Sequence, residues 1–205
     1  MSQAYIKAEE INLGQEQLSL LKERKSTVAF SDEPINTTQL EQIFEATRWA
    51  ASCFNEQPWR FIVATKENET LYKKVLNGIN PHNQNWAKNA PVLMIAIAKK
   101  TFSMNGAENK HSWHDVGLAV GNMSAQATAM GLYLHQMAGI VKENIQQDFE
   151  ISEDFEVVSA IALGYKLPIE EVPEDLKARE SKERTRKEFS EFIYNVDWEK
   201  STFKP

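Results

Sequence analysis

The chain reads as an α+β domain, and three observations predict it. Val92 to Ala98 is an unbroken apolar run directly after Pro91, with the length and content of a strand buried on both faces. Trp113 to Met130 is a long helix-forming segment, and Gly131 stands ready as its C-terminal cap. The remaining segments mix helix and strand without the strict alternation of a doubly wound sheet.

Taken in order, Leu18 and Leu21 share one face of a short helix that ends in the basic run Lys22 to Lys25. In the next helix Leu40, Ile43, Phe44 and Thr47 follow the i, i+3, i+4, i+7 pattern, and Thr38 with Glu41 can form a capping box at its start. Phe61 to Ala64 is a strand, and a loop carrying His82, Asn83 and Trp86 leads towards the Val92 strand. In the long helix Gly117, Ala119, Gly121, Ala125, Ala127 and Ala129 permit close approach on more than one side, as at the centre of a dimer. Leu132 to Met137 and Val157 to Leu163 are two further strands, separated by a helix through Ile145 and Phe149. No repeat, low-complexity tract or Pro/Gly-rich linker divides the chain, so residues 1–205 are expected to form one domain.

Composition narrows the function. At 205 residues, 42% hydrophobic and 25% charged, the chain can bury one sizeable core. A net charge of -6 argues against a general nucleic-acid binder, which needs a basic face. No apolar run approaches the ~18 to 20 residues that span a bilayer, and the N-terminus MSQAYIKAEEINL lacks a signal-peptide core, so a cytoplasmic protein is expected. Cys53 is the only cysteine, which leaves neither an internal disulfide nor a thiolate zinc site. His82, His111, His114 and His135 fall at no metal-ligand spacing, and no metal is expected. His114-Asp115 is read as an N-terminal cap and dipole partner of the long helix. GxSxG and GxGxxG are both absent, against a serine hydrolase elbow and a Rossmann nicotinamide domain.

Two short stretches carry the chemistry. Arg24-Lys25-Ser26 puts two cations and a hydroxyl where a phosphate could be held. Ser52 to Trp59, SCFNEQPW, sets small hydrogen-bonding groups against an aromatic and a proline at a helix end. Together they suit a phosphorylated ring cofactor. Near the C-terminus Lys177, Arg179, Lys182, Arg184, Arg186 and Lys187 follow the acidic stretch 170–175. They form either a solvated helix face laced by Glu180, Glu183 and Glu188, or a site where Arg184 and Arg186 project together towards an anion. Phe189, Phe192, Ile193, Tyr194 and Trp198 are too apolar for a free tail, so the segment from about 189 to 205 is expected to pack on something, a partner subunit included.

Six blocks in one order, RKSTVAF, SCFNEQPW, NQNWAKNAPVLMIA, HDVGLAVGNMSAQATAMGL, HQMAGI and ERTRKEFSEF, resemble the nitroreductase family of FMN-dependent oxidoreductases. The resemblance implies a mixed sheet flanked by helices, in an intertwined homodimer with FMN at each of two interfacial sites. Carried over residue by residue, it implies that Arg24, Lys25 and Ser26 with Arg184 and Arg186 hold the phosphate and ribityl chain. Ser52, Cys53, Asn55 and Gln57 line the flavin, largely from the opposite subunit, and Asn83 bonds the pyrimidine edge. The turn Gln136-Met137-Ala138-Gly139 presents backbone N–H groups, Ala138 near N5 and Gly139 near O4. Phe54, His82 and Trp86 are the candidates for a substrate pocket. The activity implied is ping-pong transfer of electrons from NADH or NADPH to a nitroaromatic, a quinone or a similar small electron-poor acceptor, with no obligatory side-chain acid or base. The alternatives are a flavin-storing protein without enzymatic activity, or a family member with dehydrogenase or dehalogenase activity.

The chain departs from the family pattern at four positions. Val28 stands where an Arg or Lys would sit near the electron-accepting edge of the flavin, so Val28 is counted with the cofactor residues. Ala51 replaces a usual proline, Cys53 a usual serine and Ala138 a frequent glycine. Cys53 is either a small apolar filler or a thiol beside the flavin.

Overall fold

A computed structural model describes residues 13–202; residues 1–12 of the stretch read above for a leader, and the last three residues of the C-terminal segment, lie outside them. Helix α1 spans Leu13–Glu23 and α2 spans Thr37–Arg48, followed by a 3-10 turn at Cys53–Asn55. The order continues β1 Trp59–Thr65, α3 Glu69–Asn77, α4 Pro81–Ala87, β2 Val92–Lys99, α5 Ser112–Ala129, β3 Tyr133–Met137, α6 Lys142–Asp148, β4 Phe155–Gly164 and α7 Glu174–Glu180.

The four strands of the described residues form one sheet in the order β1-β2-β4-β3, and every neighbouring pair is antiparallel, so the sheet within one subunit is not the mixed one expected. Side chains alternate across a strand, so the apolar run of β2 feeds two cores at once. Leu93, Ile95 and Ile97 join Tyr72, Val75, Trp86 and Ile145 from α3, α4 and α6 on one face. Val92, Met94, Ala96 and Ala98 join Ile43 of α2 and Val116, Ala119, Val120 and Met123 of α5 on the other. Each fully buried aliphatic side chain contributes roughly 1.5 to 3 kcal/mol, which makes β2 the centre of the fold.

Helix starts follow their capping chemistry, and here two expectations change. The box that opens α2 is Asn36 with Gln39, not Thr38 with Glu41, because the helix begins two residues earlier than that pairing requires. The stretch carrying His82, Asn83 and Trp86 is helix α4 and not a loop: Asn80 accepts from the Asn83 N–H and Pro81 takes the first helical position. The signal was present in Asn80-Pro81. Helix α5 ends where Gly131 takes φ +74°, a left-handed conformation suited to glycine.

Candidate functional site

The sequence-predicted residues gather at opposite ends of α5. With 18 residues, that helix is about 27 Å long. At its C-terminal end the Tyr133 hydroxyl donates to Glu23 at 2.6 Å, which seats the Arg24 segment beside β3. At its N-terminal end Asp115 accepts the Cys53 N–H at 3.0 Å, which seats the Ser52–Gln57 loop.

The first cluster is cationic. Arg184 donates to the carbonyl oxygens of Arg24 and Lys22, so the chain after α7 lies against the end of α1. Burial, then the charges of Arg184 and Arg186, lower the pKa of the Arg24 guanidinium, which marks three like charges sharing one place. Among the described residues no carboxylate is ion-paired with any of the three. The Ser26 hydroxyl lies 3.4 Å from Arg24 Nη1. Gathered cations without a counterion form a place for an anion.

Lys25 departs from its expected role. Its ammonium lies 2.8 Å from Glu180, whose carboxylate is 3% exposed. The same carboxylate accepts from the Thr27 hydroxyl and the Val28 N–H, both at 3.0 Å. Glu180 is the last residue of α7 and Lys182 to Lys187 lie beyond it, so the laced helix face does not form.

At the far end of β3 from Tyr133 the chain enters a turn packed against the start of α4. Gly139 follows β3, its carbonyl accepts the Asn80 N–H at 3.0 Å, and its own N–H has no hydrogen-bond partner among the described residues. A Cβ on Gly139 would collide with the Asn80 side chain and lie 2.7 Å from Asn83 Nδ2, so both asparagine side chains stand against this turn. Asn83 is therefore brought to the Gln136–Gly139 turn. Gln136 and Ala138 are exposed there, while Met137 points into the core. His82 is exposed on the first turn of α4.

Trp86 does not line a pocket. It is 2% exposed, with Phe30 at 6.3 Å and His135 at 4.4 Å between ring centroids. The guanidinium of Arg179 lies 5.3 Å from its ring centroid. Helical periodicity turns Trp86 and Ala87 towards the sheet. Val28 is likewise 1% exposed, and its side chain packs in the core instead of facing a ligand. His135 donates from Nδ1 to the Thr27 carbonyl at 2.7 Å, and burial lowers its pKa.

The loop at the other end is strained. Phe54, Asn55 and Gln57 adopt φ of +51°, +57° and +50°. Each such non-glycine residue costs of order 1 kcal/mol. The Ser52 hydroxyl accepts the Gln57 N–H at 3.0 Å and closes the loop on itself. Phe54 stands 83% exposed, edge-on to Phe102. Cys53 is half-buried. His111 is the N-cap residue of α5 without a side-chain cap bond, and Asp115 spends its carboxylate on Cys53, so the expected His114-Asp115 cap is a loop anchor instead. A groove of about 210 Å³ runs between Ser52, Cys53, His111, His114 and Leu118.

The nitroreductase-family model matches residues 21–82 and 77–165, which contain the loop, the turn and the first cationic segment. The chain belongs to the nitroreductase family. An FMN reductase [NAD(P)H] of Bacillus subtilis strain 168 is 28% identical over 154 residues, 67% of this chain and 59% of that enzyme. An oxygen-insensitive NADPH nitroreductase of Helicobacter pylori strain J99 is 34% identical over 82 residues, 40% of this chain and 38% of that enzyme. The chain thus spans less than two thirds of the length of either enzyme. A solved oxidoreductase containing FMN superposes with a TM-score of 0.80 at 29% identity, covering 97% of this chain and 95% of that one. The fold shared with that oxidoreductase therefore covers nearly all of the chain.

Sequence reasoning missed four residues that shape this candidate site: Asn80, Glu56, Glu180 and the anchoring role of Asp115. Only Asn80 carried a local signal, as an Asn before Pro. The carboxylates had none, since their partners lie 47, 153 and 62 residues away.

Proposed function

We propose that this chain is an FMN-dependent oxidoreductase acting as a homodimer, with each cofactor held between two subunits. The observation that carries the reading is the placement of the two clusters. Arg24, Arg184 and Arg186 lie towards one end of α5 and the strained loop is anchored at the other, and an 18-residue helix is about 27 Å long. That span is longer than a mononucleotide, so one ligand cannot use both within a subunit. Two subunits crossing at α5 bring one cluster of each together. The solvent face of α5 suits this, because Trp113, Gly117, Leu118 and Gly121 are exposed and nothing lies within 4 Å of where a Cβ on Gly117 or Gly121 would be. Phe189, Phe192 and Trp198 are also exposed, consistent with an arm reaching a partner.

The residues fit FMN. Arg24, Arg184 and Arg186 with Ser26 hold the phosphate, the free Gly139 N–H and the Asn83 amide meet the polar ring edge, and Ser52, Asn55 and Gln57 of the other subunit supply further hydrogen bonds. Bound there, FMN would supply two-electron chemistry between NADH or NADPH and a nitroaromatic, a quinone or a similar acceptor, in a ping-pong order. Phe54, exposed on the loop, would offer a ring for stacking to donor and acceptor in turn. Lys25 is committed to Glu180 and shapes the phosphate loop from beneath.

The test is one purification and one titration. A yellow dimer that NADH or NADPH bleaches anaerobically, and that a quinone or nitroaromatic re-oxidises, supports the reading. A yellow protein that neither nucleotide bleaches would favour flavin storage, which the apolar Val28 in place of a cation keeps open. A colourless protein that does not retain added FMN would refute both.

A further inference from the structure

The Ser52–Gln57 loop holds three left-handed residues out of six, yet the side chains that would meet a ligand do little to hold it there. Ser52 closes the loop through the Gln57 N–H, and Gln57 Nε2 reaches only Asn55. The restraint comes from two largely buried carboxylates. Asp115, its side chain 3% exposed, accepts the Cys53 N–H at 3.0 Å through Oδ2, and His114 Nδ1 lies 3.3 Å from Oδ1. Glu56, its side chain 8% exposed, accepts from Lys99 at 3.1 Å and from the Ser103 hydroxyl at 2.6 Å through Oε1, and from the Ser103 N–H at 2.9 Å through Oε2.

We propose that Asp115 and Glu56 are positioning residues that clamp the two ends of the Ser52–Gln57 loop, holding it in the left-handed shape in which it lines FMN. One clamp reaches from α5 to the start of the loop, and the other reaches from the loop to the segment that leaves β2. Between them the backbone cannot relax into the right-handed or extended regions that Phe54, Asn55 and Gln57 would otherwise prefer. Both carboxylates lie within the fold of a single subunit, so the loop is shaped before a partner arrives. The inference rests on the FMN reading above.

The experiment is FMN titration of the apo dimer, followed by flavin fluorescence and, at saturation, by visible circular dichroism. Asp115→Ala frees the Cys53 N–H and should weaken FMN binding about tenfold or more, with an altered visible spectrum. Asp115→Asn keeps an acceptor for that N–H and should bind within about threefold of wild type. Glu56→Ala should weaken binding about tenfold on its own, and it carries the test if Asp115→Ala does not fold. Lowered thermal stability of Asp115→Ala or Glu56→Ala with unchanged FMN affinity and spectrum would reduce the clamps to ordinary structural contacts and overturn the proposal. Equal losses in Asp115→Asn and Asp115→Ala would overturn the acceptor role. A wild-type protein that binds no FMN would remove the functional reading itself, an outcome distinct from a wild type that binds and variants that match it.

Discussion

Lys25 and Glu180 meet across 155 residues of sequence, with the ammonium 2.8 Å from a carboxylate that is almost wholly buried. Burial pushes the Glu180 carboxyl up, but Lys25, the Val28 N–H and the Thr27 hydroxyl together outweigh it and hold the group below the usual carboxylate range. This junction fastens the end of α7 to the segment after α1. Arg24 and Arg184 are brought together as a consequence, because each adjoins one side of the pair.

Glu180→Ala should therefore destabilise the subunit by about 3 kcal/mol, the lower end for breaking a buried pair, since Lys25 keeps some access to water. Glu180→Gln should cost less, because an amide oxygen in the place of Oε2 still accepts from both Thr27 and Val28 and only the pairing with Lys25 is lost. Urea denaturation of the two variants checks the order. Wild-type stability from this pair is present above the unfolded carboxylate pKa and disappears as pH falls through the lowered folded one.

Removing charge from the arginine cluster should weaken FMN binding. Among the described residues Arg186 donates only to the neighbouring Thr185 carbonyl, so Arg186→Ala tests charge with little structural cost. The expected loss is about 1.5 to 3 kcal/mol of binding, and more for the double change with Arg184. Fluorescence titration decides, and unchanged affinity would place the phosphate elsewhere.

His135 should make stability depend on pH. Burial lowers its pKa from 6.5, and Arg179 opposes its protonation further, so the folded protein holds it neutral where the unfolded chain would take up a proton. Its contribution is complete above about pH 6.5 and is lost as pH falls towards the lowered folded value. His135→Gln can still donate to the Thr27 carbonyl but cannot titrate. Its urea midpoint should stay flatter than wild type between pH 7 and pH 5, and parallel curves would remove His135 as the cause.

The exposed face of α5 can be tested at Gly121. Nothing lies within 4 Å of the position of a Cβ there. Leucine in an exposed helix position should stabilise a lone subunit by up to about 1 kcal/mol. If this face crosses a second copy, Gly121→Leu should keep the fold and lose the dimer by sedimentation. A dimer of wild-type affinity would show that another surface pairs.

Val28→Arg serves as a control on the family comparison. A cation at this position would be expected beside the flavin, yet the Val28 side chain is in the core. Arginine there should cost several kcal/mol by burying an unpaired charge. A stable variant with a raised flavin midpoint potential would show instead that the backbone can turn this side chain outward.

What the sequence determined alone were the features written in neighbouring residues. The apolar run of β2, the small-residue helix α5 with its Gly131 stop, and strands β1, β3 and β4 all follow from periodicity and capping, which act over a few residues. The Arg24 and Ser52 motifs were legible for the same reason, as short runs of distinctive chemistry. Tertiary structure alone decided which charges pair and which side chains turn inward. It gave Lys25 to Glu180, buried Trp86 and Val28, and set Asp115 under the Ser52–Gln57 loop. Each of those outcomes depends on a partner brought in from far along the chain, and a residue's local sequence carries no record of what the sheet and helices will place against it.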